Sequence, residues 1–144
     1  MTPLRSRSLS LAALPLLAVL AGCGSDGPTI VKVTGRLTYK GQPVTNAILQ
    51  FQPEYGRQSW AQTDAEGRFK INYDRQQDGA VIGKHKVWVE IRPTTPAEQE
   101  AAMLGKRIIP AKELAAFFEK YKAENSPLTV EITKKTKELE LNLD

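Results

Sequence analysis

The chain has 144 residues, a formal net charge of +4, 41% hydrophobic residues, one cysteine and one histidine. That composition is ordinary for a globular domain and excludes a disulfide within the chain; it also leaves a zinc site, which takes three or four clustered ligands, short of its favoured donors. Charges of both signs are interspersed, and the basic cluster Lys134, Lys135 and Lys137 reads as a solvated turn, so no nucleic-acid partner is expected.

The first residues read as a targeting segment. Arg5 and Arg7 form a short basic region with no acidic residue before Asp26, and Leu9 to Ala21 is a mostly apolar run. That run of about 13 residues has the length of a signal-peptide core and falls short of the roughly 20 that cross a hydrocarbon layer. Small Ala21 and Gly22 then precede the lone cysteine, Cys23. Leu20-Ala21-Gly22-Cys23 resembles the lipobox of bacterial lipoproteins at all four positions. The resemblance implies cleavage between Gly22 and Cys23, a diacylglycerol on the Cys23 thiol and an acyl group such as palmitate on the new N-terminus. A nucleophilic or metal-bound cysteine would need a base or co-ligands, which one histidine does not supply. A plain secretory signal with an incidental cysteine is the other reading. Two or three acyl chains hold a protein on a membrane where one is marginal.

Residues 1–22 are therefore read as a signal peptide, 23–29 as a lipidated tether and 30–144 as one domain, expected to fold as a monomer without metal or cofactor. Removing Arg5 and Arg7 from the 20 basic side chains leaves 18 against 16 acidic ones, a formal +2. Gly24 to Thr29, six residues, reach at most roughly 20 Å when extended, which keeps the body near the bilayer of the cell envelope.

From Val31 the apolar period becomes two. Val31, Val33, Leu37 and Tyr39 alternate with polar residues, with Gly35 as a bulge or close-packing point. Gly41-Gln42-Pro43 reads as a turn. Ala47, Leu49 and Phe51 form a second strand ended by Pro53, and Ser59 to Thr63 a short third. In Asp64-Ala65-Glu66-Gly67 the aspartate can accept from nearby backbone amides and the glycine can take a positive φ. Phe69, Ile71 and Tyr73 follow, then a loop from Gln76 to Lys84, then Val87, Val89 and Ile91. Leu128, Val130 and Ile132 precede the last segment, Leu139, Leu141 and Leu143. Seven short alternating segments predict a mainly β fold, a seven-stranded Greek-key sandwich.

A helical insertion over about residues 95–124 interrupts the strands. Thr95 as N-cap, Pro96 at the first helical position and Glu98 three residues after the cap start one helix, which Gly105 stops. A second is expected near Pro110, with Leu114, Phe117, Phe118 and Tyr121 on one stripe. The stripe is expected to cover an open sheet face; Trp88 points away from Val87 and Val89 and would otherwise be exposed between Lys86 and Glu90. A docking surface for a partner is the alternative.

Val33-Thr34-Gly35-Arg36-Leu37-Thr38-Tyr39-Lys40-Gly41-Gln42-Pro43-Val44, with Asn46-Ala47, resembles the opening of carboxypeptidase regulatory-like domains, β-sandwiches of the prealbumin (transthyretin-like) type. Thr63-Asp64-Ala65-Glu66-Gly67-Arg68-Phe69 is similar to their T-D-x-x-G-x-F turn, and Gly83-Lys84-His85-Lys86-Val87 to their strand start. Ile109-Pro110-Ala111-Lys112, Lys120-Tyr121 and Ser126 to Val130 resemble a subgroup of short bacterial lipoproteins on this fold. The resemblance implies a non-catalytic accessory role. Neither the zinc catalytic domain nor the outer-membrane barrel that such domains accompany elsewhere is present in this sequence.

Transthyretin-like hydrolases use several His and Arg and a tyrosine-rich C-terminus; this chain has one histidine, His85, and ends Leu141-Asn142-Leu143-Asp144. His85 lies between Lys84 and Lys86, whose charges discourage a cation, and is read as structural. No Ser-His-Asp set, nucleophile elbow or phosphate-cradling loop can be assembled. The function expected is a structural or protein-interaction module of the envelope; the alternatives are a glycan- or small-ligand-binding protein stacking on Trp60, Trp88, Tyr55 or Tyr39, and the hydrolase. An exposed coplanar pair of aromatics would favour the glycan alternative.

Overall fold

A computed structural model describes residues 27–106, 108 and 110–144. The expected signal peptide, the cleavage position, Cys23 and tether residues 24–26 lie outside those described residues.

The described chain is mainly β, a curled, mostly antiparallel sheet with two helices. In order it forms β1 (Ile30–Val31), β2 (Thr34–Tyr39), β3 (Gln42–Pro43), β4 (Ala47–Pro53), β5 (Ser59–Gln62), β6 (Arg68–Asn72), β7 (Ala80–Val81) and β8 (Gly83–Ile91). Then come α1 (Pro96–Met103), a 3-10 turn (Lys112–Leu114), α2 (Ala115–Lys120), β9 (Thr129–Ile132) and β10 (Glu138–Leu143). The seven longer strands fall on the seven alternating segments. Their hydrogen-bonded path runs β10-β2-β6-β5-β4-β8-β9, with β3 folded back on β2 and β1 paired with β7.

β6 makes the sheet curl. Thr34 to Arg36 pair with its first half, Arg68 to Lys70, whereas Trp60 and Ala61 pair with Asn72 and Ile71 in its second half. One strand thus serves two wings, and the core lies between them. Leu37 and Leu141 face it from one wing, Leu49, Phe51, Val87, Val89 and Ile132 from the other. The Phe51 and Phe69 rings meet at 6.1 Å across that space. β10 runs parallel to β2, with Leu141 opposite Leu37.

Gly35 serves close packing. A Cβ there would stand against the Leu139 carbonyl oxygen and 2.5 Å from the Phe69 ring. The Asp64 turn forms as its residues dictate: Asp64 Oδ1 accepts from the backbone N–H of Glu66 at 2.9 Å and of Arg68 at 2.8 Å, and Gly67 takes a φ of 72°.

Two loop boundaries differ from the sequence expectation. The first turn sits at Lys40 and Gly41, with φ of 50° and 78°, so Gln42 and Pro43 pair back onto Tyr39 and Thr38 as β3. Two consecutive positive φ angles suit the right-handed twist of a hairpin, which moves the turn off the proline. The expected loop Gln76 to Lys84 contains β7 and the start of β8, because Ala80 and Val81 are buried against the core and pair with β1.

α1 begins as expected, with Thr95 as N-cap, a complete capping box with Glu98 and Pro96 in the first turn. None of its residues is buried. The second helix starts later than Pro110: Lys112 to Leu114 form the 3-10 turn and α2 covers only Ala115–Lys120. Its stripe packs inward. Phe117 is fully buried, 5.0 Å from the Tyr39 ring and 5.1 Å from that of Tyr121, while Leu114 and Phe118 are half-buried. The stripe therefore plugs the core where the curled sheet stays open and does not lie over Trp88. The Val89 N–H donates to the Tyr121 carbonyl at 2.8 Å, and Tyr121 Oη and Lys120 Nζ donate to the Asp144 carbonyl, so α2 stitches β8 to the end of β10.

Candidate functional site

On β4 the buried residues Ala47, Leu49, Phe51 and Pro53 alternate with half-buried Ile48, Gln50 and Gln52. Strand alternation puts the second set on the outer face. β5 is informative because its inward residues, Ser59 and Ala61, are small while Trp60, 40% exposed, points outward with Gln62. On β8 the inward residues are His85, Val87 and Val89, which turns Trp88 outward.

Register aligns these outward residues. Gln50 is directly opposite Trp60 on one side and Trp88 on the other, and Trp60 is opposite Asn72. The result is one row across four strands: Asn72, Trp60, Gln50, Trp88. Neighbouring strands are about 4.8 Å apart, so the two tryptophans stand roughly 10 Å from each other with an amide between them. They are the chain's two tryptophans.

Hydrogen bonds hold the row's polar groups. Glu90 Oε1 accepts from Trp88 Nε1 at 2.8 Å and Glu90 Oε2 from Gln50 Nε2 at 3.3 Å, while Gln58 Nε2 donates to Gln50 Oε1 at 2.6 Å. Asn72 Nδ2 donates to the Lys70 carbonyl at 3.1 Å. Gln52 and Gln62 lie on the same face, Gln62 opposite Ile48. Two lysines flanking the row have partners of their own: Lys86 Nζ donates to the Ala123 carbonyl at 2.9 Å and Lys70 Nζ is 3.2 Å from Asp78. The face offers the exposed indole of Trp60, the half-buried one of Trp88, carboxamides that both donate and accept, and the Glu90 carboxylate.

The four aromatics singled out from the sequence thus divide. Trp60 and Trp88 share the row. Tyr39 packs on Phe117 and the core, and Tyr55, 88% exposed, stands in the loop after β4. Gln50, Gln58, Asn72 and Glu90 were not legible as partners, because alternation says which way a residue points and pairing says what it stands beside. The inverted pattern of β5, small inside and tryptophan outside, is the signal that marks the face.

His85 is fully buried, with Nε2 2.8 Å from the Val81 carbonyl and the ring edge-on to Phe51. Among the described residues no three His, Cys, Asp or Glu side chains gather as a metal site. A concavity of about 970 Å³ lies between the end of β8 and α2, lined by Val89, Ile91, Ala115 and Phe118 among others. Lys112, Lys122 and Glu124 on its rim carry both signs of charge.

No family model, no curated protein and no solved structure matches this chain.

Proposed function

We propose that this chain is a non-catalytic, lipid-anchored module of the bacterial cell envelope that binds a glycan on the outer face of its sheet. The observation that carries the binding half is the row Asn72, Trp60, Gln50, Trp88. Sugar rings present C–H faces that stack on indole and hydroxyl edges that both donate and accept, and the row supplies a partner for each. The anchoring half rests on Leu20-Ala21-Gly22-Cys23 behind a short apolar run. The body is read as a Greek-key sandwich of the prealbumin, carboxypeptidase regulatory-like type; seven strands at the expected places and a core between two wings support it. Burial of His85 against Val81 speaks against its use as a base in a hydrolase.

A protein-interaction role is the second reading, favoured by the concavity beside α2 with its half-buried Phe118.

Both halves of the main reading are open to direct measurement. Cells fed labelled palmitate should label the chain in the membrane fraction, and Cys23→Ser should abolish the label and release the protein or leave the precursor uncut. An unmodified Cys23 thiol in membrane-bound wild type removes the anchor. Adding solubilised envelope polysaccharide to the full chain should change its tryptophan emission; an unchanged spectrum with every envelope fraction removes the glycan reading.

A further inference from the structure

We infer that the outer-face row takes a single, extended, uncharged, β-linked glycan chain laid across the strands, with one sugar on Trp60 and the next but one on Trp88. The inference rests on the glycan reading above and names its ligand class. Three features select that class.

The first is spacing along a straight line. Trp60 and Trp88 face the same way from strands on either side of Gln50, roughly 10 Å apart. In an extended β-1,4-linked chain alternate rings turn the same face outward, so a like surface recurs at every second sugar. An α-linked chain curls away from a straight row. The second feature is twist. Adjacent strands rotate by about 20–25°, so the two tryptophans are carried by strands inclined about 40–50° to each other. A single chain can follow that rotation, whereas the flat face of a polysaccharide crystal cannot. The third is charge. The row itself is two indoles and two neutral carboxamides, and the carboxylate of Glu90 stands beside it, held by Trp88 and Gln50. An anionic polymer would find no uncommitted cation in the row.

The test uses the full chain in detergent, with the emission of its two tryptophans as the readout. Cellohexaose and chitohexaose are titrated against maltohexaose, and microcrystalline cellulose is used for co-sedimentation. The β-linked hexasaccharides should shift the emission saturably, maltohexaose should bind at least about tenfold more weakly, and the crystal should leave the protein in the supernatant. Calorimetry of variants completes it. Trp60→Ala should weaken binding about tenfold and Trp60→Phe should restore part of the loss. Gln50→Met should weaken it about threefold to tenfold, with unchanged circular dichroism in each case. Equal or tighter binding of maltohexaose, or binding to the crystal without binding to the hexasaccharides, overturns the chain geometry and leaves the glycan reading standing. Full affinity in both Trp60→Ala and Gln50→Met moves the site elsewhere and overturns the row. Failure of every hexasaccharide to bind the folded protein overturns the ligand class named here, whereas the glycan reading falls only if the envelope polysaccharide fractions also leave the emission unchanged.

Discussion

Glu98 shows how much one exposed side chain can settle locally. Its Oε2 accepts from the Thr95 N–H at 2.9 Å, the Thr94 N–H at 2.8 Å and the Thr94 hydroxyl at 3.0 Å. Those bonds, the Thr95 N–H foremost, favour the ionised form and pull the carboxyl from its ordinary 4.5 down to about 2. A folded value below the unfolded one stabilises the native cap above the unfolded value and loses that contribution as pH falls through the folded one. α1 buries no side chain, so its cap is what holds it in place. Its amides should therefore lose hydrogen-exchange protection between about pH 4.5 and 2, ahead of the sheet, and Glu98→Gln should remove that dependence. A fitted Glu98 value near 4.5 would contradict the cap.

At the scale of elements, α2 is short but structurally central. Phe117 is fully buried among Tyr39, Phe118 and Tyr121, whereas Phe118 meets it edge-on at 5.2 Å and faces the concavity beside β8. Phe117→Ala should cost about 3–5 kcal/mol in urea unfolding, the usual figure for a buried phenylalanine, and Phe118→Ala clearly less. Equal losses, or a loss below about 0.5 kcal/mol for Phe117→Ala, would sink the plug. The stripe itself was legible, because i, i+3, i+4 and i+7 spacing specifies a face. What it covers was not. Periodicity placed Trp88 outward and left the helix free to be laid over it; the Val89–Tyr121 and Tyr121–Asp144 bonds that set α2 on the inner side are contacts between distant segments, with no trace in local pattern. Strands were legible for the same local reason, and so was the Asp64 turn, whose chemistry lies within four residues. The hairpin at Lys40 and Gly41 was misplaced by one residue because proline drew the turn toward itself, and a sheet edge tolerates proline at Pro43. The site was half legible: Trp60 and Trp88 stood out as residues, and the amides joining them needed the register.

In the whole molecule, the decisive pairing is between the two ends of the described body. β10 lies parallel to β2, residue 138 beside residue 34, and the Asp144 carbonyl receives both Lys120 Nζ and Tyr121 Oη. Removing residues 138–144 should therefore expose Leu37 and unseat α2, and the truncated chain should lose its cooperative melt; a retained transition near the parent temperature would show the remaining wing to be self-sufficient. The same pairing governs when the protein can fold. A chain emerges from the ribosome at about 5–20 residues per second, and nearly all of this one must be made before β2 finds its outer neighbour. Contacts that distant in sequence form slowly. On the secreted route proposed above, that delay would be useful: the strand that completes the sheet would cross after the strand it pairs with, and the body would stay threadable for most of its passage.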